Sequence, residues 1–457
     1  MKRRDFGLLA GSTLAGCAAW RPAMGQVPDA ALLGTKLTPL GAERAGNADG
    51  SILPWTGGMT GPALAPDVPV AHKIFADERP LYEVNQGNLA QYAPLLSDGV
   101  RHMVTRFAMS LKVYQTHRSA AAPQYVYDNT RQNVARAQFD PHGARFGFFG
   151  AVGGAPFPII DTSDPLKGGA QLIWNHLTAW NGASVWTDFV PHYVMKGGRL
   201  TLASGGKLRC FYPYYQPDVL PENYGGFYSK VHADHSVPAS QGAEWLVWHS
   251  SNMRVRPDIT WWLLGDTPMR KEPFAVFDAP NPAVNGIANF DESAVFSGDP
   301  SQYDWHYVGK KEMLVPYNCN NMRWANAREL AQRYFPNPDF VRWEKHRVWV
   351  VDAVLHPGEH NVNARRRLYI DEDTWQALLG EAYDASGEMV KIYAMYNACV
   401  PSLPGTIRQA DVVFNLAAGA YALSGAGTYP SFSADMFAGP QKPGLFDPQV
   451  QVASPCF

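Results

Sequence analysis

Several strand-like segments of this chain are apolar on both alternating faces, and that restricts the fold more than any other feature. In EWLVWHS (244–250) and DITWWLLG (258–265) hydrophobic side chains fall on odd and even positions alike. In EMVKIYAMYNA (388–398), Val390, Ile392, Ala394 and Tyr396 share one face, and Met389, Lys391, Tyr393 and Met395 share the other. A sheet apolar on both faces has to be covered on both, or has to enclose something. Further strands are expected at 186–203, 208–215, 274–278, 305–317, 347–355, 364–371, 376–383 and 411–416, parted by turn clusters such as MKGGRL, LHPGEH and YDASGE. Short turns between successive strands imply an antiparallel meander, and no strand–long helix–strand alternation suggests a parallel sheet.

Helical spacing is confined to three places. NQGNLAQYAPLLSDGVRHMVTRF (85–107) carries Leu89, Tyr92, Leu95 and Leu96 on one stripe, with bends expected at Pro94 and Gly99. TSDPLKGGAQLIWNHLTAW (162–180) has Pro165 in its first turn and Leu166, Ala170, Ile173, Trp174 and Leu177 on one face. NARELAQRYF (326–335) ends at Pro336. Three helices cover only part of so many strands. The pattern therefore predicts an α+β fold: a large, strongly curved antiparallel sheet wrapped around a few helices, leaving an apolar groove.

The N-terminus reads as an address. MKRRDFGLLAGSTLAGCAAWRPAMGQ combines a basic start, an apolar run too short to span a bilayer, and small residues near a cleavage point. Arg3-Arg4 matches the twin-arginine pattern of proteins exported after folding. Cleavage is expected after Gly25, giving a signal over 1–25; the alternative is lipidation of Cys17 in the box LAGC. Either route leads to the bacterial envelope, in the periplasm or anchored to the outer membrane. Residues 26–70, including GAERAGNADGSILPWTGG, read as an extended, turn-filled arm, and 71–457 as a single domain. Cys210, Cys319, Cys399 and Cys456 fit no zinc spacing and read as structural thiols.

Chemical motifs are sparse. The stretch from Arg365 to Cys399 holds Asp371, Glu372, Asp373, Glu381, Asp384 and Glu388. DEDTWQ lacks the glycine of a calcium loop, so these acids read as hairpin-turn residues rather than a metal or catalytic site. HADH (His232, His235) and HPGEH (His356, His360) read as polar loops, since Pro357-Gly358 breaks the helix a zinc pair would need. No G-x-S-x-G elbow, P-loop or post-strand G-x-G-x-x-G occurs. RWEKHRVWVVDA (342–353) gathers Arg342, Glu344, Lys345, His346 and Arg347, expected to form an ion network pinning a sheet edge. The chain thus offers no catalytic residues, metal site or cofactor motif. The runner-up is an envelope hydrolase or lipid-modifying enzyme built on Arg342–Asp352, and a third reading is a structural adaptor of an envelope complex. With 39 basic and 41 acidic residues and no basic tract, nucleic acid is not an expected partner.

LTPLGAERAGNADGSILPWTGG, LIWNHL, QYDWHYVGKKEMLVPYNCNN and the run from Arg342 to Met389, taken in order, resemble a family of exported bacterial proteins of unknown function labelled outer-membrane lipoprotein-sorting proteins. The resemblance implies a fold like the lipoprotein carriers LolA and LolB, an incomplete barrel closed by helices. It also implies association with resistance-nodulation-division type exporters and outer-membrane barrels, hence traffic of hydrophobic compounds, and it brings no catalytic residues. Both lines converge on a periplasmic carrier for a lipid-like ligand. Trp245, Trp248, Trp261, Trp262, Trp349 and Tyr393 are the candidate wall residues, of which alternation lets only some face inward. Arg254, Arg256, Lys310 and Lys311 either face solvent or meet an anionic head group at the groove mouth.

Overall fold

The computed structural model describes residues 29–65, 68–70, 73–236, 243–264, 270–272, 278–428 and 435–449. The expected export signal with Cys17, together with Cys456 and residues 274–277 of one expected strand, lies outside them. The first strands are β1 (Tyr82–Val84), β2 (Leu111–Val113), β3 (Gln138–Phe139), β4 (Phe148–Phe149), β5 (Ser184–Phe189), β6 (His192–Val194) and β7 (Leu200–Leu202). Then come β8 (Gly206–Phe211), β9 (Phe227–His235), β10 (Ala243–Ser250), β11 (Ile259–Leu264), β12 (Arg270–Glu272) and β13 (Tyr303–Pro316). The last are β14 (Trp343–Leu355), β15 (Arg365–Asp371), β16 (Ala377–Tyr383), β17 (Met389–Val400), β18 (Gly405–Asn415), β19 (Ala420–Ser424) and β20 (Met436–Ala438).

Apart from the β3–β4 ladder, these strands divide between two large sheets, where the sequence suggested one. The larger runs β13-β14-β15-β16-β17-β18-β19-β6-β7, antiparallel throughout, with β2 and β1 joined to the start of β14. Its ends do not meet, so it does not close into a barrel. The smaller runs β12-β11-β10-β9-β8-β5-β20. The segment 186–203 shows why alternation alone could not separate them. Its first part, β5, belongs to the small sheet, and after Val190-Pro191 the hairpin β6–β7 crosses to pair with β19 of the large one.

The helices are α1 (Leu89–Tyr92), α2 (Asp98–Phe107), α3 (Gln124–Arg136), α4 (Pro165–Leu177) and α5 (Ala327–Leu330). The 85–107 stripe breaks where Pro94 tightens a 3-10 turn, and Ser97 restarts the helix by accepting the Val100 N–H. Gly99 is no bend. It lies in the first turn of α2, where a Cβ would sit 2.8 Å from Ile392. In α4, Asp164 caps the Leu166 and Lys167 N–H groups, and Gly169 lets the helix lie directly on Trp305 of β13, whose carbonyl a Cβ would strike. The third expected helix shrinks to α5, because Ala331 is already extended. Helix α3 escaped notice because QYVYDNTRQNVAR has only a weak apolar stripe. β9 contains HADH, so those histidines stand on a strand, not in a loop.

The arm is packed as well as turn-filled. Leu33, Leu40, Ala42 and Ile52 are buried, and the indoles of Trp375 and Trp55 bond across the arm boundary to the carbonyls of Leu40 and Ala120. Cys210, Cys319 and Cys399 are free thiols. No helix among the described residues is long and apolar enough to cross a membrane.

Candidate ligand-binding cavity

A cavity of about 360 Å³ lies between the two sheets. One wall is the small sheet: Trp245, Val247 and His249 of β10 with Leu208 and Cys210 of β8 and Val185, Thr187 and Phe189 of β5. The spacing of two along β10 and β8 is the strand period. The opposite wall is the β18–β19 hairpin, through Ile407, Arg408, Ala410, Val413 and Ala422, and the segment 281–297 closes one side through Val284, Phe290 and Phe296. The lining is predominantly apolar.

The other face of β10 explains the double-sided hydrophobicity. Trp248 and Trp261 meet there edge to face at 4.8 Å, and the Trp248 indole donates to the Phe446 carbonyl at 3.1 Å. The C-terminal 3-10 turn at Pro443–Phe446 thus covers the outer surface while the inner surface faces the cavity.

Most polar groups in the walls are already engaged. Burial pushes the His176 pKa down to about 4, so the ring is neutral; its Nδ1 accepts the Ala377 N–H at 3.0 Å and its Nε2 lies 3.1 Å from the Phe296 carbonyl. Asp258 is held by His249 at 2.9 Å and by the Ser250 N–H. Glu292, fully buried, accepts from Lys391 at 2.7 Å and from the Tyr393 hydroxyl at 2.9 Å. Arg323 donates to Thr187 and to the Asp435 carbonyl. Arg408 differs. Its side chain reaches a hydroxyl, Ser293, at 3.5 Å, and no carboxylate among the described residues stands within ion-pair distance.

The side chains singled out in the sequence are dispersed. Trp245 lines the cavity, its indole bonded to His235 at 3.1 Å. Trp262 stands opposite Trp245 in the β10–β11 register, its side chain lying outside the described residues. Trp248 and Trp261 occupy the outer face, and Trp349 stacks near Trp375 in the large sheet. Tyr393 is buried behind the cavity wall on Glu292. Arg254 pairs with Asp140 at 3.2 Å, Arg256 donates to the Gly225 carbonyl, Lys310 pairs with Glu372, and Lys311 lies over the Tyr369 ring at 5.3 Å. These four are not among the residues that line the cavity.

The acidic stretch needs a correction. Asp371, Glu372 and Asp373 do form the turn between β15 and β16, but they are 0, 1 and 3% exposed, because the arm folds over them. Arg118 clamps Asp373 with two bonds of 2.9 and 2.6 Å and also donates to the carbonyls of Glu43 and Arg44 in the arm. Arg347 bonds Glu372 at 3.2 Å and the Ala45 carbonyl at 3.0 Å. Glu344 accepts from Arg342 at 2.5 Å, from His346 at 3.2 Å and from the His117 N–H at 2.8 Å. This is the network expected from RWEKHR, except that β14 is interior, between β13 and β15, rather than an edge. Glu381 is also fully buried, whereas Asp384 and Glu388 occupy a water-facing turn.

His346, Asp371 and Asp373 bring potential ligand atoms within 4.8 Å of one another. Charge argues against a cation there. The carboxylates of Glu344, Glu372 and Asp373 are met by Arg118, Arg342, Arg347 and Lys310, and Asp371 faces His346 at 3.7 Å, so a dication would enter a cluster already supplied with cations. Burial raises the Asp371 pKa, and for His346 the Glu344 bond and the Asp371 charge outweigh the burial that opposes its charged form. The remaining histidine pairs have separate partners: His232 binds Glu244, His356 binds Asp304 and His360 binds Asp278.

A family model described as "Protein of unknown function (DUF1329)" matches residues 83–448. The chain belongs to the DUF1329 family. Uncharacterized protein PA3922 of Pseudomonas aeruginosa is 34% identical over 374 residues, 80% of each chain. Among solved structures, a DUF1329 family protein from Desulfovibrio piger superposes with a TM-score of 0.42 at 13% identity, over 62% of this chain and 98% of its own. The LolA superfamily protein NE2245 from Nitrosomonas europaea gives 0.34 at 9% identity, over 58% and 91%.

In this DUF1329 chain the large-sheet wall of the cavity was missed by sequence reasoning, since the strand there was expected to start at 411 rather than 405. One signal was available: TIRQADVVF sets Arg408, Gln409 and Asp411 among apolar residues of one strand. The bulge was not readable. Asn397 pairs with Arg408 and Tyr396 with Ala410, leaving Gln409 as an extra residue that re-aims this part of β18.

Proposed function

We propose that this DUF1329 protein is a periplasmic carrier that holds one hydrophobic, lipid-like molecule between its sheets during transport across the envelope. The observation that carries the reading is the apolar cavity of about 360 Å³, with Trp245 and Phe189 on one wall and Val413 and Ala422 on the other. That volume lies at the lower end of the roughly 300–1,000 Å³ typical of small-molecule pockets, and suits one acyl chain or fused-ring body. Every 100 Å² of apolar ligand surface removed from water contributes about 2.5 kcal/mol before the costs of association. Covalent chemistry plays no part in holding such a ligand. In this reading the carrier exchanges cargo with a resistance-nodulation-division type exporter and an outer-membrane barrel, the partners implied by the resemblance.

The test is titration with an environment-sensitive apolar fluorophore, followed by displacement with sterols, fatty acids and phospholipids. The wild-type chain binds, and Ala410→Trp, which fills the cavity from the β18 wall, weakens binding at least tenfold while the circular dichroism spectrum is retained. Absence of binding across all three ligand classes would refute the proposal.

A further inference from the structure

We infer that the cargo is an amphipathic anion, an apolar body carrying one carboxylate or phosphate head that pairs with Arg408. The inference rests on the carrier reading and adds the chemistry of the ligand's polar end. Arg408 projects from β18 at the bulge and lines the cavity, yet the guanidinium is exposed rather than packed into the wall. Its guanidinium makes a 3.5 Å contact to the Ser293 hydroxyl. Elsewhere in this molecule arginines near the core are matched: Arg118 to Asp373, Arg342 to Glu344, Arg366 to Asp291, Arg367 to Asp352. A guanidinium carries five N–H donors in a planar fork, so Arg408 has donors to spare in a geometry that fits a carboxylate or phosphate bidentately.

Glu292 is neutralised by Lys391, and Asp258 is held by His249. Asp411 is the nearest competitor, since its Oδ2 accepts from the same Ser293 hydroxyl at 3.1 Å, but it does not reach Arg408 within ion-pair distance. Ser293 bridges the two side chains, and the other guanidinium donors of Arg408 stay available. Arg408 shares the cavity lining with Cys210 and Tyr228 of the small sheet. An anion seated here would be charge-paired at one end and dry along its length. A neutral ligand of the same shape would leave the guanidinium without a partner at the edge of an apolar space.

Binding of palmitate, its methyl ester and a palmitoyl lysophosphatidate, measured by displacement of a neutral fluorophore, separates the possibilities. Palmitate or the lysophosphatidate should bind at least tenfold more tightly than the ester, and the stronger of the two identifies the head group. Arg408→Met should abolish that preference, bringing acid and ester to equal affinity, and Arg408→Lys should keep part of it. Equal affinity for acid, phosphate and ester in the wild type overturns the inference and leaves the carrier reading intact. A preference that survives in Arg408→Met also overturns it, by moving the head-group site elsewhere. Failure of all three ligands and of the fluorophore to bind sinks the carrier reading itself.

Discussion

Removing Arg118 should unpin the N-terminal arm and destabilise the whole chain. In Arg118→Met, Asp373 loses both charge-assisted bonds, at 2.9 and 2.6 Å, while remaining 3% exposed beside Asp371 and Glu372. Removing one partner of a buried ion pair costs about 3–5 kcal/mol, because the stranded charge cannot be resolvated. The carbonyls of Glu43 and Arg44 lose a donor too, each worth about 1 kcal/mol unless water replaces it. Urea unfolding followed by tryptophan fluorescence and by far-UV circular dichroism gives the loss, provided the two transitions coincide. Hydrogen exchange should locate the first opening in residues 29–65. Adding Asp373→Asn should return at least about 2 kcal/mol, as expected for directly coupled partners. A single-variant cost below about 1 kcal/mol, or a double variant as unstable as the sum of the singles, would refute the idea that this network fastens the arm.

The other predictions concern burial and the cavity. Burial raises the Glu381 pKa to about 7, against about 4.3 for an unfolded glutamate, so the folded form keeps a proton that the unfolded form loses as pH rises through that interval. Wild-type stability attributable to this group therefore falls between about pH 4 and 7, and Glu381→Gln should show no advantage at pH 4 and up to about 3 kcal/mol at pH 8; an advantage independent of pH would contradict the assignment. Trp245→Ala should weaken fluorophore binding severalfold, whereas Trp248→Ala, on the outer face of the same strand, should leave affinity unchanged and lower the unfolding midpoint; the reverse outcome would place the ligand on the wrong side of β10. Gly169→Ala should cost about 1–3 kcal/mol, since the added methyl strikes the Trp305 backbone and neither partner is a movable side chain; a neutral result in thermal unfolding would show that α4 can lift away from β13.

Much of the fold was legible because strands announce themselves locally. The runs at 244–250, 365–371, 377–383 and 389–398 depend on alternation and turn chemistry that a few neighbouring residues determine. Pairing partners do not. Nothing near His192–Val194 indicates that it will meet Tyr421–Leu423 more than two hundred residues later, and that pairing sets where the chain crosses from β5 of the small sheet into the large one. The acidic turn failed for a similar reason. Asp371–Asp373 has the composition of a solvated hairpin end, and its burial is decided by an arm more than three hundred residues upstream. Trp245 was recognisable as a large residue on an apolar strand, but which face of β10 would be covered by the C-terminal turn depended on Phe446. Arg408 was visible as an oddity in its strand. Its importance comes from what is missing around it, which requires the neighbours to be known.

Crystallography of the protein soaked with a terminally brominated fatty acid tests the central claim most directly, because bromine can be located by its anomalous signal regardless of chain disorder. The account predicts a bromine peak between β10 and β18, with the carboxylate at Arg408. A saturated crystal with no peak between the sheets, or with bromine only on the outer surface beside Trp248 and Trp261, would contradict it.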